Sequence, residues 1–210
     1  MLALGGEIWV ADETALREFP PLRAGWSQRG HPATVLISGR NGRRTILGAL
    51  QVETGELVRT LRQRCRTDDV LVAVVALGAV RPEVPKLLIW DNAPPHKPHR
   101  VRDAAQEVGI TLAFLPFRSP ELMPLEELWR GLKATVAANR CYPGLDDLAD
   151  RALDWLDAMP ELERRRLCGI YGCADRNSTA DANEARAEIK THAVVSCASR
   201  PDVSSLDQRL

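Results

Sequence analysis

The 210-residue sequence lacks any apolar run long enough to cross a membrane. Its longest, Val70–Val80, is about half of the ~20 residues that a span requires. The opening MLALGG has neither a basic n-region nor a full apolar h-region, so no signal peptide is expected and the reducing cytoplasm is the expected compartment. A charge excess is also missing: 28 basic and 28 acidic side chains give a formal net charge of zero. Cysteine is sparse and odd in number, five in all, without the tight spacing of a disulfide framework. Cys168, Cys173, His192 and Cys197 read C-x4-C-x18-H-x4-C, a ligand set zinc could use, but the gaps match no common finger. Hydrophobic residues make up 45% and charged residues 27%, which excludes global disorder and fits one well-buried domain or two small ones.

The zero sum conceals strong local bias. Residues 1–16 carry Glu7, Asp12 and Glu13 and no base. Residues 17–66 hold ten arginines against three glutamates, a net of +7, whereas 141–210 have a net of −4. A solvated charged face is the plain explanation for any one arginine, but the block as a whole is equally suited to a polyanion. Neutrality therefore does not exclude DNA.

The pattern of elements predicts an α/β fold. Glu7–Asp12 is apolar and β-prone and reads as a strand ending at Asp12. Ala33–Ser38 reads as a second strand, the Asn41-Gly42 pair as a hairpin turn, and Arg44–Val52 as the return strand, with Thr54-Gly55 as the next turn. Asp68–Val80 can form a helix, and Lys86–Trp90 is a short apolar run typical of a buried strand, with Asp91 at its end. A helix over 98–108 stopped by Gly109, a strand over Ile110–Leu115, a helix opened by Pro124 and running to about Arg140, and an amphipathic helix over Leu145–Met159 follow. Strands that alternate with helices pair in parallel, so the expected architecture is a mixed sheet, a three-strand antiparallel meander plus parallel strands, flanked by helices. From about Ala174 onward aromatics vanish and large aliphatics thin out. A short helix near 181–190 is the only element expected there.

Three acids occupy telling positions. Asp12 and Asp91 end strands and Glu126 lies in the first turn of the Pro124 helix. Ligand sites in such sheets lie beyond the carboxyl ends of strands. Three carboxylates gathered there repel one another unless a cation neutralises them, and hard divalent ions, Mg²⁺ or Mn²⁺, suit oxygen ligands. Taken singly, each acid is more often a cap, a turn residue or a surface charge than a metal ligand.

The text around these acids adds specificity. LLIWDNAPPHKPHRV and FLPFRSPELMPLEELWRGLK, with 34 residues between Asp91 and Glu126, resemble the catalytic core of mariner-superfamily DDE transposases, in particular the bacterial insertion-sequence branch. ADETALREFPPLRAGWSQRG, SGRNGRRTILGAL and the TGE turn are similar to the upstream part of that core. The resemblance implies an RNase H-like (integrase-like) catalytic domain over 1–173, with 174–210 as a tail. It implies Asp12, Asp91 and Glu126 as the catalytic and metal-binding triad, with Glu13 and Glu127 as secondary choices. It implies Mg²⁺ or Mn²⁺, two ions in all, and cleavage and strand transfer at insertion-sequence ends by a homodimer on DNA, in the cytoplasm and nucleoid of a bacterium. Candidate DNA contacts are Arg40, Arg43, Arg44, His96 and Lys133. His96 is also a candidate for contact with the triad or for a structural hydrogen bond, and Trp129 is expected in the core. Met123 stands where the family has Asn, and the family's end-binding helix-turn-helix is not expected here because Met1 lies just before the first strand. The alternative is a transposase remnant that binds DNA or protein without cutting; a host nuclease of the same fold is a third reading.

Overall fold

The computed structural model describes residues 5–171, apart from 33, 36 and 118. Five strands form one sheet: β1 (Glu7–Arg17), β2 (Arg43–Gln51), β3 (Leu57–Arg62), β4 (Lys86–Trp90) and β5 (Ile110–Phe114). Their order is β3-β2-β1-β4-β5. β1, β2 and β3 pair antiparallel, while β4 lies parallel to β1 and β5 parallel to β4. The helices are α1 (Thr67–Gly78), α2 (His99–Glu107), α3 (Leu125–Leu132), α4 (Leu145–Ala158) and α5 (Glu161–Leu167). The mixed sheet flanked by helices is the expected architecture.

Strand alternation assigns the two faces. Trp9, Ala11, Leu47, Ala49, Leu88 and Trp90 point to one side and pack under Val70, Val74 and Leu77 of α1 and Val101 and Ala105 of α2. Val10, Leu16, Ile46 and Leu50 point to the other and pack under Leu125, Leu128, Trp129 and Leu132 of α3 and the buried stripe of α4. Asp12 belongs by parity to the α3 face and Glu13 to the α1 face.

The meander differs from the expected one. β1 does not stop at Asp12 but continues five residues to Arg17, burying Thr14 and Leu16. It therefore pairs directly with β2, from Trp9↔Gln51 to Arg17↔Arg43. Asn41-Gly42 is the run into β2 rather than a hairpin turn, and Gly42 is tied back to Glu18 by the Glu18 N–H to Gly42 carbonyl bond of 3.0 Å. Of the expected Ala33–Ser38 strand, Ala33 and Leu36 lie outside the described residues; the remainder is not strand and is largely exposed. The third strand is instead β3, reached through the expected Thr54-Gly55 turn. Gly55 is required there: its φ is +87°, and a Cβ would stand 2.2 Å from the Glu161 carbonyl of α5.

Two further differences lie near the site. The helix expected over 124–140 is α3 followed by one π-helical turn, Lys133–Ala137, so it ends early and rewound. α5 has no counterpart in the expectation; it is held by buried Arg164, whose guanidinium donates to the carbonyls of Gly55, Leu156 and Met159 at 2.6–2.9 Å. The tail over 174–210, its expected short helix, and Cys173, His192 and Cys197 lie outside the described residues. Cys168 is buried, and burial pushes its thiol up to about 12. Among the described residues no helix is long and apolar enough to cross a membrane.

Candidate active site

β4 ends at Trp90 while its neighbour β1 runs on, and the parallel register pairs Val10 with Ile89. Two residues further along, that register sets Asp91 beside Asp12, at the carboxyl end of β4. The third acid arrives from a helix. Met123 is buried at the mouth of α3, Pro124 is already helical at φ −60° and ψ −32°, and Glu126 follows in the first turn. Leu125, Leu128 and Leu132 anchor α3 in the core, and Trp129 closes over Gly48, the β2 residue opposite Asp12. A Cβ on Gly48 would lie 2.8 Å from the Trp129 ring, so only glycine lets α3 approach this closely. Trp129 is thus a core residue, as expected.

Asp12, Asp91 and Glu126 line one cleft together with Asn92, Phe117 and Met123. Burial pushes Asp12 up to about 7, helped by the charges of Glu13, Asp91 and Glu126 and opposed by a backbone hydrogen bond. Glu126 is exposed and forms no ion pair among the described residues, whereas Glu127 is held by Arg130 at 2.6 Å. Lys133 is half-buried where α3 turns into the π segment. Burial lowers its pKa, against the opposing pull of Asp12 and Glu126, which places its ammonium within the field of both acids.

His96 is fully buried, so the structure removes it from the residues placed to touch DNA. Its Nδ1 lies 2.7 Å from Asp91 Oδ1 and its Nε2 3.0 Å from Glu13 Oε1. Burial disfavours the imidazolium, but hydrogen bonds to Cys65 and Glu13 and the charges of Glu13 and Asp91 outweigh it and hold the group at about 10. Sequence reasoning left Glu13 without this role. Strand alternation was the available signal, since it turns Glu13 away from Asp12 toward the opposite face. Glu13, Cys65 and His96 bring three ligand-type atoms within 4.8 Å of one another, but here two of those atoms are spent on each other and Glu13 also accepts from Trp90 Nε1 at 3.0 Å.

The basic loop is pinned rather than splayed. Arg40 pairs through Nε with Glu18 at 2.5 Å and donates from Nη2 to the Pro143 carbonyl, and Arg44 pairs with Asp146 at 2.7 Å. Arg43 sits opposite Arg17, five residues along β1 from Asp12. Asp146 is exposed, so its pair with Arg44 is worth about 0–1 kcal/mol and exchanges readily for another anion, whereas the Glu18 side chain that holds Arg40 is only 10% exposed.

The donor set is all oxygen, and its mutual repulsion still raises Asp12 with Lys133 and His96 close by. Such a set fits hard divalent cations and suits thiophilic ones poorly.

Comparison with known proteins gives the family and the fold. The family model for the DDE superfamily endonuclease matches residues 7–149. An uncharacterised protein of Sinorhizobium fredii, y4pE/y4sA, is 30% identical over 104 residues, covering 49% of this chain and 75% of its own. The Tc3 transposase of Caenorhabditis elegans is 36% identical over 78 residues, 37% of this chain and 24% of that protein. Among solved structures, the Mos1 transposase paired-end complex with left transposon end aligns at TM-score 0.62 and 16% identity, covering 89% of this chain and 56% of that one. The isolated Mos1 catalytic domain aligns at TM-score 0.55 and 13% identity, covering 89% of this chain and 82% of that one. The chain thus spans about half the length of the Mos1 chain in that complex, and it has the RNase H-like fold. By the match over 7–149, it belongs to the DDE superfamily endonucleases.

Proposed function

We propose that this chain is the catalytic domain of a mariner-type transposase of the bacterial insertion-sequence branch, which cuts DNA at element ends and joins the freed end to a target. The observation that carries the reading is the meeting of Asp12, Asp91 and Glu126, from three separate parts of the sequence, in one cleft where Asp12 stands near 7. Related structures support it: Mos1 transposase is known in paired-end complexes with Mn and with Mg and in a strand transfer complex.

In this reading the three carboxylates would hold two Mg²⁺ or Mn²⁺ ions. Bound cations supply the charge that activates an attacking oxygen and stabilises the leaving one. In the first step the oxygen of water forms a bond to phosphorus, the P–O3′ bond breaks, and the 3′ oxygen leaves as a hydroxyl. In the second, that 3′-hydroxyl attacks a target phosphodiester and displaces the target strand's own 3′ oxygen, so no protein–DNA bond forms. Asp12, Asp91 and Glu126 set where the reacting phosphate sits. Lys133 takes one of its non-bridging oxygens, and Arg40, Arg43 and Arg44 steady the DNA backbone beyond it. The working form is a homodimer on DNA, in the bacterial cytoplasm and nucleoid.

The test is nicking of supercoiled plasmid with Mg²⁺ or Mn²⁺. Metal-dependent nicking lost in Asp91→Asn and Glu126→Gln supports the assignment. DNA binding without any metal-dependent nicking identifies an inactive remnant instead.

A further inference from the structure

The cleft accounts for three acids but not for the buried histidine fixed to one of them. His96 ends a short turn that opens with Pro94-Pro95, and its ring stacks on Trp90 with centroids 4.2 Å apart and planes 24° apart. Both ring nitrogens meet carboxylate oxygens, Asp91 Oδ1 at 2.7 Å and Glu13 Oε1 at 3.0 Å. The Nε2 contact is a hydrogen bond with Glu13, while the Nδ1 contact with Oδ1 is a close ion-pair approach, the Nδ1 hydrogen bond itself falling on the Asp91 main-chain carbonyl at 3.4 Å. Glu13 Oε1 is fixed from a second side by Trp90 Nε1–H at 3.0 Å. Asp91 Oδ1 is fixed from a second side by the Ala93 N–H at 3.0 Å. The Ala93 N–H and the adjacent His96 ring thus hold Oδ1 from two sides and leave Oδ2 as the oxygen without a hydrogen-bond partner among the described residues.

We propose that Glu13 and His96 form a positioning pair that locks the Asp91 carboxylate in one rotamer, with Oδ2 presented to a divalent cation in the cleft. The inference rests on the reading of Asp91 as a cation ligand. The side chain of Asp91 is 48% exposed, so without the lock it samples several orientations and pays to be ordered when a cation binds. The link also crosses the sheet. Glu13 belongs to the α1 face and Asp12 to the α3 face, so adjacent residues of β1 serve one site by two routes, Asp12 directly and Glu13 through His96.

The test is Mn²⁺ binding to the full 210-residue chain without DNA, read by calorimetry, with thermal melting as the control for folding. Two substitutions separate the two ends of the imidazole. In His96→Asn the amide nitrogen takes the place of Nδ1 and keeps the contact with Asp91; in His96→Gln it takes the place of Nε2 and keeps only the bond to Glu13. The expected result is a Kd for Mn²⁺ raised about tenfold or more in His96→Gln, the usual range for losing a group that orients a metal ligand, with His96→Asn within about threefold of the native chain. Native affinity in His96→Gln, or equal losses in both variants, overturns the proposal. If neither variant folds, Glu13→Ala reads the same link from its far end: a Kd raised by clearly more than threefold supports it and a Kd within about threefold of the native chain overturns it. Asp91→Asn separates the two levels. If it binds Mn²⁺ as well as the native chain, the ligand assignment itself has failed; if it loses affinity while His96→Gln does not, only the positioning role has failed.

Discussion

Replacing Asp12 by Asn stabilises the metal-free protein, by an amount that grows above about pH 4 and is complete above about pH 7. In the unfolded chain Asp12 titrates near 3.8, while in the fold burial and the neighbouring acids raise it to about 7. Between these values the folded state holds a proton that the unfolded state has released, so stability falls as pH rises through this window. The contribution is fully present below about pH 4 and gone above about pH 7. At 1.36 kcal/mol per tenfold change in proton affinity, the upper bound is about 4 kcal/mol. Water in the open cleft and relaxation of the side chains reduce this to about 2 kcal/mol, or about 4–8 °C in Tm for a domain of this size. The assay is thermal melting of the chain in a chelator at pH 5 and pH 8, native beside Asp12→Asn. The variant should gain at least half of that difference between the two pH values, and a divalent cation should restore the native chain but not the variant. Parallel pH profiles for the two proteins would refute the reasoning, because they would mean that Asp12 is not held against its own charge.

Gly48→Val drives a side chain into Trp129, whose ring already stands 2.8 Å from the position of a Cβ. It should cost about 1–3 kcal/mol in urea denaturation and lower nicking as well, because α3 carries Glu126. Arg164→Met removes the donors that satisfy three carbonyls between the β2–β3 turn and α4–α5, and a loss of about 2–4 kcal/mol in the same measurement is expected. Lys133→Gln should reduce nicking about tenfold while leaving Mn²⁺ affinity within about threefold, since an amide keeps the reach but not the charge that meets phosphate. Glu127→Gln should nick at the native rate, for its carboxylate is engaged by Arg130 outside the cleft.

Much of the fold could be read from local patterns. Lys86–Trp90 and Ile110–Phe114 are short apolar runs bounded by proline, glycine or a polar turn, and both are strands at the expected places. α4 was legible from its apolar stripe for the same reason. The meander was not, because its partners are chosen by long-range pairing. Asn41-Gly42 carries the local chemistry of a hairpin, yet β1 offers nine paired positions to β2 and leaves the intervening segment no edge to join. β3 has a half-buried, arginine-bearing pattern, LVRTLR, that states no preference until Leu47 and Ala49 lie beside it.

The site divides along the same line. Asp12, Asp91 and Glu126 were visible by position and by their surrounding text, and they line one cleft. The bond from His96 to Glu13 was not visible, since the two are 83 positions apart and meet only because β4 stops just before Asp91 and the chain turns back toward β1. Arg40 and Arg44 show the opposite failure. Sequence placed them at a free turn tip, and the fold gives them Glu18 and Asp146.

The function assigned to the cleft requires that three carboxylates from β1, the end of β4 and the start of α3 hold a cation together. Crystals of the chain soaked in Mn²⁺ and measured at the manganese absorption edge report this directly. Anomalous density within about 2.0–2.4 Å of oxygens of Asp12, Asp91 and Glu126 is the predicted result. An empty cleft under conditions that support nicking, or manganese bound at Glu13, Cys65 and His96 instead, would contradict it.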